Sequence, residues 1–300
     1  YVHMICDGQH VHPVMVRLVV RCRDVAAICL VTDAVPLAGA PDGRFVWDDG
    51  RTFYKKDGQS YVKTKSGVTK SRILNDPAYK RTRENMQEFA GGAKAGKALR
   101  QAYAGVIKIV ADTYISARIS GLMKRVINNG TGIRGARELD LVAHGNLFMD
   151  FEFNKRKPLN AVFFAEYAAP TLNANRDVLT WTVPDFTTGT FINAPEGASH
   201  FKLVLAAGLV SNYTYDALQQ GYEPVSGAEN GLGGVSYSAA IPLSGAVGSD
   251  TTLTLDLGIG AALPAAVAST GAIGIQFYQE INGEMYVLNG GHAMRIALMG

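Results

Sequence analysis

From residue 159 to residue 300 the sequence breaks, about every ten residues, into a short apolar or β-branched run closed by Gly, Pro, Asn or Thr. A chain punctuated this way cannot build long helices and must bury its apolar side chains on paired strands. The runs at 161–168, 178–184, 200–208, 234–241, 251–257, 271–280, 284–288 and 293–298 are the candidate strands. Ile281-Asn282-Gly283-Glu284 carries the Asn-Gly pair of a tight hairpin between the seventh run and the one before it. Short strands with few helical signals between them predict an antiparallel β-sandwich.

Charge divides the chain more sharply than its net value of +3 suggests. Residues 51–137 hold 19 Lys or Arg against 5 Asp or Glu, whereas residues 159–300 hold 3 against 11. The first stretch is also where helical periodicity appears. Asp76-Pro77 has an N-cap residue followed by proline at the first helical position. Leu99, Tyr103, Val106, Ile107 and Val110 form one apolar stripe, and Ile115, Ile119, Leu122, Met123 and Val126 another, predicting helices over about 93–109 and 112–127. Asn128-Asn129-Gly130 supplies a stop. A basic helical region followed by an acidic sandwich predicts opposed faces, suited to a homo-oligomer held by charge or to a contact with nucleic acid. Lys80, Arg81, Arg83, Lys94, Lys97 and Arg100 form the candidate basic contact surface. No nucleic-acid-binding module is recognisable, so self-association is the favoured partner.

Ahead of the helices, Phe45-Val46-Trp47, Thr52-Phe53-Tyr54 and Ser60-Tyr61-Val62 are separated by Asp-Gly turn residues, predicting a small meander over 44–66. Residues 1–43 read as strand, helix, strand, with Pro13 opening a helix whose apolar positions are Val14, Leu18 and Val19. A fully apolar run, Ala26 to Val31, closes on Thr32-Asp33, the pattern of a parallel barrel strand at its functional end. The sequence begins Tyr1-Val2-His3-Met4, without the pattern of a signal peptide, and reads as a chain entered mid-domain. No apolar run reaches the roughly 18 residues a membrane-spanning helix needs. Cys6, Cys22 and Cys29 are clustered and odd in number, which predicts buried thiols in a reducing, cytoplasmic setting rather than a disulfide framework.

Asp7-Gly8-Gln9-His10-Val11-His12-Pro13, Arg17-Leu18, Leu30-Val31-Thr32-Asp33-Ala34, Ala38-Gly39 and Pro41-Asp42-Gly43 occur in this order with compatible gaps. Together they resemble the late barrel of the N-acetylglucosamine-6-phosphate deacetylases, members of the amidohydrolase superfamily. The resemblance implies that Asp33 is the catalytic carboxylate that takes a proton from metal-bound water and returns it to the leaving amine. It implies that His10 belongs to the loop that holds an amino-sugar phosphate. The family's metal ligands and most of its eight strands lie earlier in its chain and have no counterpart here. No metal ligand is therefore assigned, and a divalent cation such as zinc is expected only if the missing barrel is supplied. Alone, an aspartate after an apolar strand is as well explained as a turn former.

Residues 46–300 resemble, more weakly, uncharacterised proteins of Bacteroidota, through Arg81-Thr82-Arg83-Glu84-Asn85, Lys94-Ala95-Gly96-Lys97 and Phe151-Glu152-Phe153-Asn154. This likeness brings no activity with it. Gly91 to Lys97 matches phosphate-loop spacing, but Ala98 stands where Ser or Thr would bind magnesium and helical sequence precedes it, so close packing of small residues is the expectation. The chain is thus expected to be α+β and multi-part: a βαβ barrel fragment at 1–43, a β-meander at 44–66, a basic helical region at 67–138, a linker at 139–158 and an acidic antiparallel sandwich at 159–300. Its expected role is a structural or self-associating module carrying a vestigial or truncated deacetylase segment that is inactive alone. A metal-dependent deacetylase completed by a missing part or a partner chain is the alternative, and nucleic-acid binding through the basic helices a second.

Overall fold

The computed structural model describes residues 2–4, 12–22, 26, 28–30, 41–46, 52–56, 59–63 and 68–300. The fold is α+β with antiparallel sheets, and the chain divides into two compact units, Tyr1–Ile73 and Leu74–Gly300.

In the first unit, β1 (Val2–Met4) and β2 (Ile28–Leu30) pair in parallel, with Val2 beside Ile28 and Met4 beside Leu30. Helix α1 (Pro13–Cys22) lies between them in sequence, giving the strand–helix–strand order expected. None of the residues of α1 is buried: Val14 is 60% and Leu18 51% exposed. Cys22, expected to be buried, is an exposed free thiol at the end of this helix. Strands β3 (Gly43–Val46), β4 (Thr52–Lys56) and β5 (Gln59–Lys63) form the antiparallel meander.

The second unit is reached through α2 (Lys70–Asn75), which crosses the boundary. Asp76 caps the turn Pro77–Tyr79, its carboxylate accepting the Ala78 amide at 2.9 Å, as the Asp-Pro pair predicted. The helix that follows, α3 (Lys80–Ala102), starts well before the expected residue 93 and breaks at Tyr103, where α4 (Ala104–Val110) begins. Helix α5 (Ile115–Asn129) then runs back over α3 and stops at Gly130. Gly130 has extended backbone, not a left-handed cap; a Cβ there would overlap the Glu138 carbonyl oxygen, so close approach is what selects glycine.

Two long strands carry the rest. Strand β8 (His200–Ser211) pairs antiparallel with β14 (Val267–Ile281), from Ser211 beside Val267 to His200 beside Tyr278. β11 (Gly233–Tyr237) and β12 (Ile241–Pro242) add to β8, whereas β15 (Glu284–Val287) and β16 (Ala293–Met299) add to β14. A second sheet contains β6 (Thr171–Leu172), β7 (Val178–Val183) and β13 (Thr251–Asp256), and β9 (Tyr213–Asp216) forms a hairpin with β10 (Gly221–Pro224). Two one-turn helices, α6 (Leu141–His144) and α7 (Thr188–Phe191), complete the unit.

Alternation along β8 explains the layering. Phe201, Leu203, Leu205 and Ala207 pack with Leu179, Trp181 and Val183 of the second sheet, whereas Val204, Ala206 and Val210 pack with Leu99, Tyr103, Ile119 and Met123 of the helices. A strand buried on both faces must be apolar, as β8 is from Leu203 to Val210. The helical region and the sandwich are therefore not separate bodies, because the central sheet would expose a whole apolar face without α3 and α5. The stretch 139–158, expected to be a linker, is also core: Leu139, Leu141, Phe148, Phe151 and Phe153 are buried, and the Phe153 amide donates to the Met294 carbonyl at 2.9 Å. Residues 161–168, expected to be a strand, form no ladder and pair only through a bridge between Phe163 and Ile192.

Small residues let α3 lie close to its neighbours. A Cβ at Gly91 would stand 2.5 Å from Cγ of Tyr222, and one at Gly92 3.2 Å from the Lys124 amide nitrogen. The Gly91–Lys97 stretch is thus helix interior, with no loop to cradle phosphate. Gly91→Ala should lower unfolding stability by about 1–3 kcal/mol through overpacking against the ring, although alanine alone favours helix by about 1 kcal/mol. Urea unfolding checks this, and a stability equal to or above that of the parent chain would contradict it.

Candidate functional site

Asp33 and His10, the residues the deacetylase resemblance singles out, lie outside the described residues. Among the described residues no group of three or more His, Cys, Asp or Glu is placed to hold a metal ion.

The six candidate basic residues divide. At about 100° per residue, Arg83, Lys94, Lys97 and Arg100 fall on the side of α3 opposite Glu88, Ala95 and Leu99, whereas Lys80 and Arg81 do not. Arg81 pairs with Glu84 at 2.8 Å, and the Arg83 guanidinium donates to the Asp76 carbonyl at 2.8 Å. Lys94 donates to the Glu223 carboxylate at 2.6 Å and to the Tyr222 carbonyl at 2.8 Å, so a helix cation meets a sheet anion within the same chain. Met86 and Phe89, 53% and 55% exposed, stand on the same outer side of α3, among Arg83, Lys97 and Arg100.

The acidic counterpart is the hairpin of β14 and β15. Asn282 and Gly283 turn it with φ of 54° and 84°, values that an Asn-Gly pair accommodates best. Among the described residues β15 pairs on one side only, with β14, which leaves its other edge open to a partner. Ile281, Tyr286 and Val287 are exposed there beside the exposed Glu280 and Glu284.

Two clusters of charge have no signature in the linear sequence. In the first, Glu88 on α3 is fully buried and accepts from Arg137 Nε and Nη2, both at 2.8 Å, from the Gly135 amide at 2.8 Å and from Lys124 Nζ. Burial opposes ionisation of Glu88, but the hydrogen bonds from Arg137, Lys124 and Gly135 together outweigh it and hold the carboxyl down at about 2 from an ordinary 4.5. Its oxygens are filled by these partners, so the cluster clamps α3, α5 and the 130–138 segment and offers nothing to a ligand.

The second cluster is open. The segment Asp150–Phe153 runs antiparallel beside β16, with Glu152 opposite Arg295. On one side Arg118 of α5 donates to the Glu152 and Phe153 carbonyls at 2.7 and 2.8 Å and to the Asp112 carboxylate at 2.8 Å, its guanidinium 4.7 Å from the Phe151 ring centre. On the other side Arg295 donates to the Tyr167 hydroxyl at 3.0 Å and lies 3.6 Å from the Asp150 carboxylate. Burial raises the Glu152 carboxyl above its ordinary value, against the opposing hydrogen bond from the Leu159 amide. The Nε atoms of both Arg118 and Arg295 are buried and have no hydrogen-bond partner among the described residues, and each arginine lines a cavity, of about 420 and 630 Å³ respectively. Phe151-Glu152-Phe153-Asn154 gave only a family likeness at the sequence level; the pairing with β16 that makes it a site is tertiary.

A scan against models of known protein families, a search of curated proteins and a search of solved structures each found no match to this chain.

The two clusters predict different acid behaviour. The folded-state pKa of Glu88 lies below its unfolded value, so its stabilisation is present above about pH 4.5 and is lost as pH falls towards 2. Glu88→Gln should cost about 3–5 kcal/mol at neutral pH, since it leaves two cations without their anion. The gap between the variant and the parent chain should close below pH 4.5. Unfolding curves between pH 7 and 2.5 read it directly, and a gap constant with pH would contradict the assignment.

Proposed function

We propose that the chain is a structural, self-associating module, in which the outer face of α3 of one copy meets the acidic β14–β15 hairpin of another. The observation that carries this reading is a pair of surfaces on one unit with opposite charge and exposed apolar centres. Met86 and Phe89 stand on the outer side of α3 with Lys97 and Arg100, whereas on the hairpin ribbon Ile281, Glu284 and Tyr286 share one face and Glu280 and Val287 the other. An open strand edge favours association, and complementary charge selects the partner and the register. The two surfaces differ, so the contact is head-to-tail and builds rings or filaments rather than a closed two-fold dimer. Nucleic-acid binding is the weaker use of the helix face, because Arg81, Arg83 and Lys94 already donate within the chain.

The strand–helix–strand order and parallel pairing of β1 and β2 favour a second reading, that the first residues descend from a deacetylase barrel. A strand pair cannot close a barrel. On this reading the segment is a vestigial or truncated piece, inactive unless the remaining strands and a divalent metal are supplied.

Sedimentation at low and high salt tests the module. Larger species at about 0.05 M salt should dissociate at about 0.5 M as screening shortens the reach of charge. Lys97→Glu with Arg100→Glu should give monomers, and mixing that variant with Glu280→Lys, Glu284→Lys protein should restore assembly. A monomer at every salt concentration would refute it. Acetate release from N-acetylglucosamine-6-phosphate with added zinc tests the vestige: none above background is expected. Turnover abolished by Asp33→Asn in a folded protein would establish an enzyme instead.

A further inference from the structure

We propose that the groove between α5 and the Asp150–Phe153 segment is a binding site for a small amphipathic anion, a phosphate monoester or carboxylate with a hydrocarbon body. Its lining combines an apolar wall with a cationic rim. Leu122 and Phe151 supply apolar surface, and Arg118, Arg125 and Lys155 supply positive charge.

These cations are not equivalent. Arg118 is fixed by its donations to Asp112 and to two carbonyls, and its stacking over Phe151 turns that ring and guanidinium into one rigid wall. Asp112 neutralises it, while its buried Nε donates to none of the described residues. Arg125 and Lys155 are exposed, and their charged groups make no ion pair or hydrogen bond with the described residues. The groove's two carboxylates compete only partly with an incoming anion. Asp150 faces Arg295 at 3.6 Å, and Glu152 accepts the Leu159 amide at 3.0 Å. What remains for a ligand is two unpaired cations at the rim and an apolar wall behind them, in a cavity of about 420 Å³, which suits a short-chain molecule. An anionic head placed at Arg125 and Lys155 gains charge-assisted hydrogen bonds, and its tail covers Leu122 and the Phe151 ring. None of these residues belongs to the α3 face or the hairpin, so the site is independent of self-association.

Calorimetric titration of the full chain with hexyl phosphate, inorganic phosphate and hexanol tests the site. Hexyl phosphate should bind at least about tenfold more tightly than either fragment, because each fragment fills only half of the groove. Arg125→Ala and Lys155→Ala should each weaken hexyl phosphate about tenfold, whereas Lys108→Ala, exposed on α4, should leave it unchanged. Leu122→Asp should abolish the advantage over inorganic phosphate. Three outcomes would overturn the proposal: no binding of hexyl phosphate, equal binding of hexyl phosphate and phosphate, or insensitivity to both charge removals. The rim variants alter exposed side chains, and matching circular dichroism spectra separate lost binding from lost folding.

Discussion

The antiparallel pairing of β8 with β14 is the constraint on which the Leu74–Gly300 unit depends. Twelve consecutive register positions join the two strands, which are buried on both faces over 203–211 of β8 and 267–277 of β14. Such a pair cannot face water on either side, so it requires one apolar cover from the second sheet and another from the helices. Gly208 marks how tight the helical cover is: a Cβ there would stand 2.7 Å from Cβ of Ala102. Beside it, the Tyr103 hydroxyl lies 2.9 Å from Thr270 Oγ1, which donates to the Gly208 carbonyl at 2.8 Å. This chain satisfies the polar groups at the point where α3 breaks into α4.

Once the helices are committed to that face, the charge asymmetry acquires a meaning it lacks in the linear sequence. The inner side of α3 needs glycine and alanine to approach the sheet and α5, so its cations are displaced to the outer side or to its ends. Some are satisfied at once by acids of the sheet half, as Lys94 is by Glu223. Others, with Met86 and Phe89, are left facing outward. The acidic hairpin projects from the opposite kind of constraint: β15 is the last strand of its branch, and its outer edge has no partner among the described residues. Surfaces for association thus follow from how the core closes.

The strand positions were legible from residues alone, whereas the layering was not. The strands at 178–183, 200–211, 251–256, 267–281, 284–287 and 293–299 lie where short apolar runs and turn residues put them. Pairing was less legible than propensity. Residues 163–166 alternate, with Phe163 and Ala165 buried and Phe164 and Glu166 exposed, yet no neighbouring strand completes a ladder. Phe148, Phe151 and Phe153 lie in a stretch without sustained helical or strand period, and it becomes core where the Asp150 and Phe153 amides donate to the Ile296 and Met294 carbonyls of β16. The charged seam escaped for the same reason, since Arg118, Glu152 and Arg295 are brought together across more than 170 residues of chain by contacts that no local pattern encodes. The pattern that named a chemistry, Asp33 with His10, belongs to residues outside those described, and its ancestry reading rests on motif order.

Hydrogen exchange measured amide by amide tests most directly whether the central sheet and its helical cover are one cooperative structure. Amides of Leu203–Val210 in β8 and of Gly92–Leu99 in α3 should open with the same free energy, equal to that of global unfolding. Exchange of the α3 amides through a separate, lower-energy opening while β8 stays protected would show that the helices are an appended layer, and would contradict the shared core.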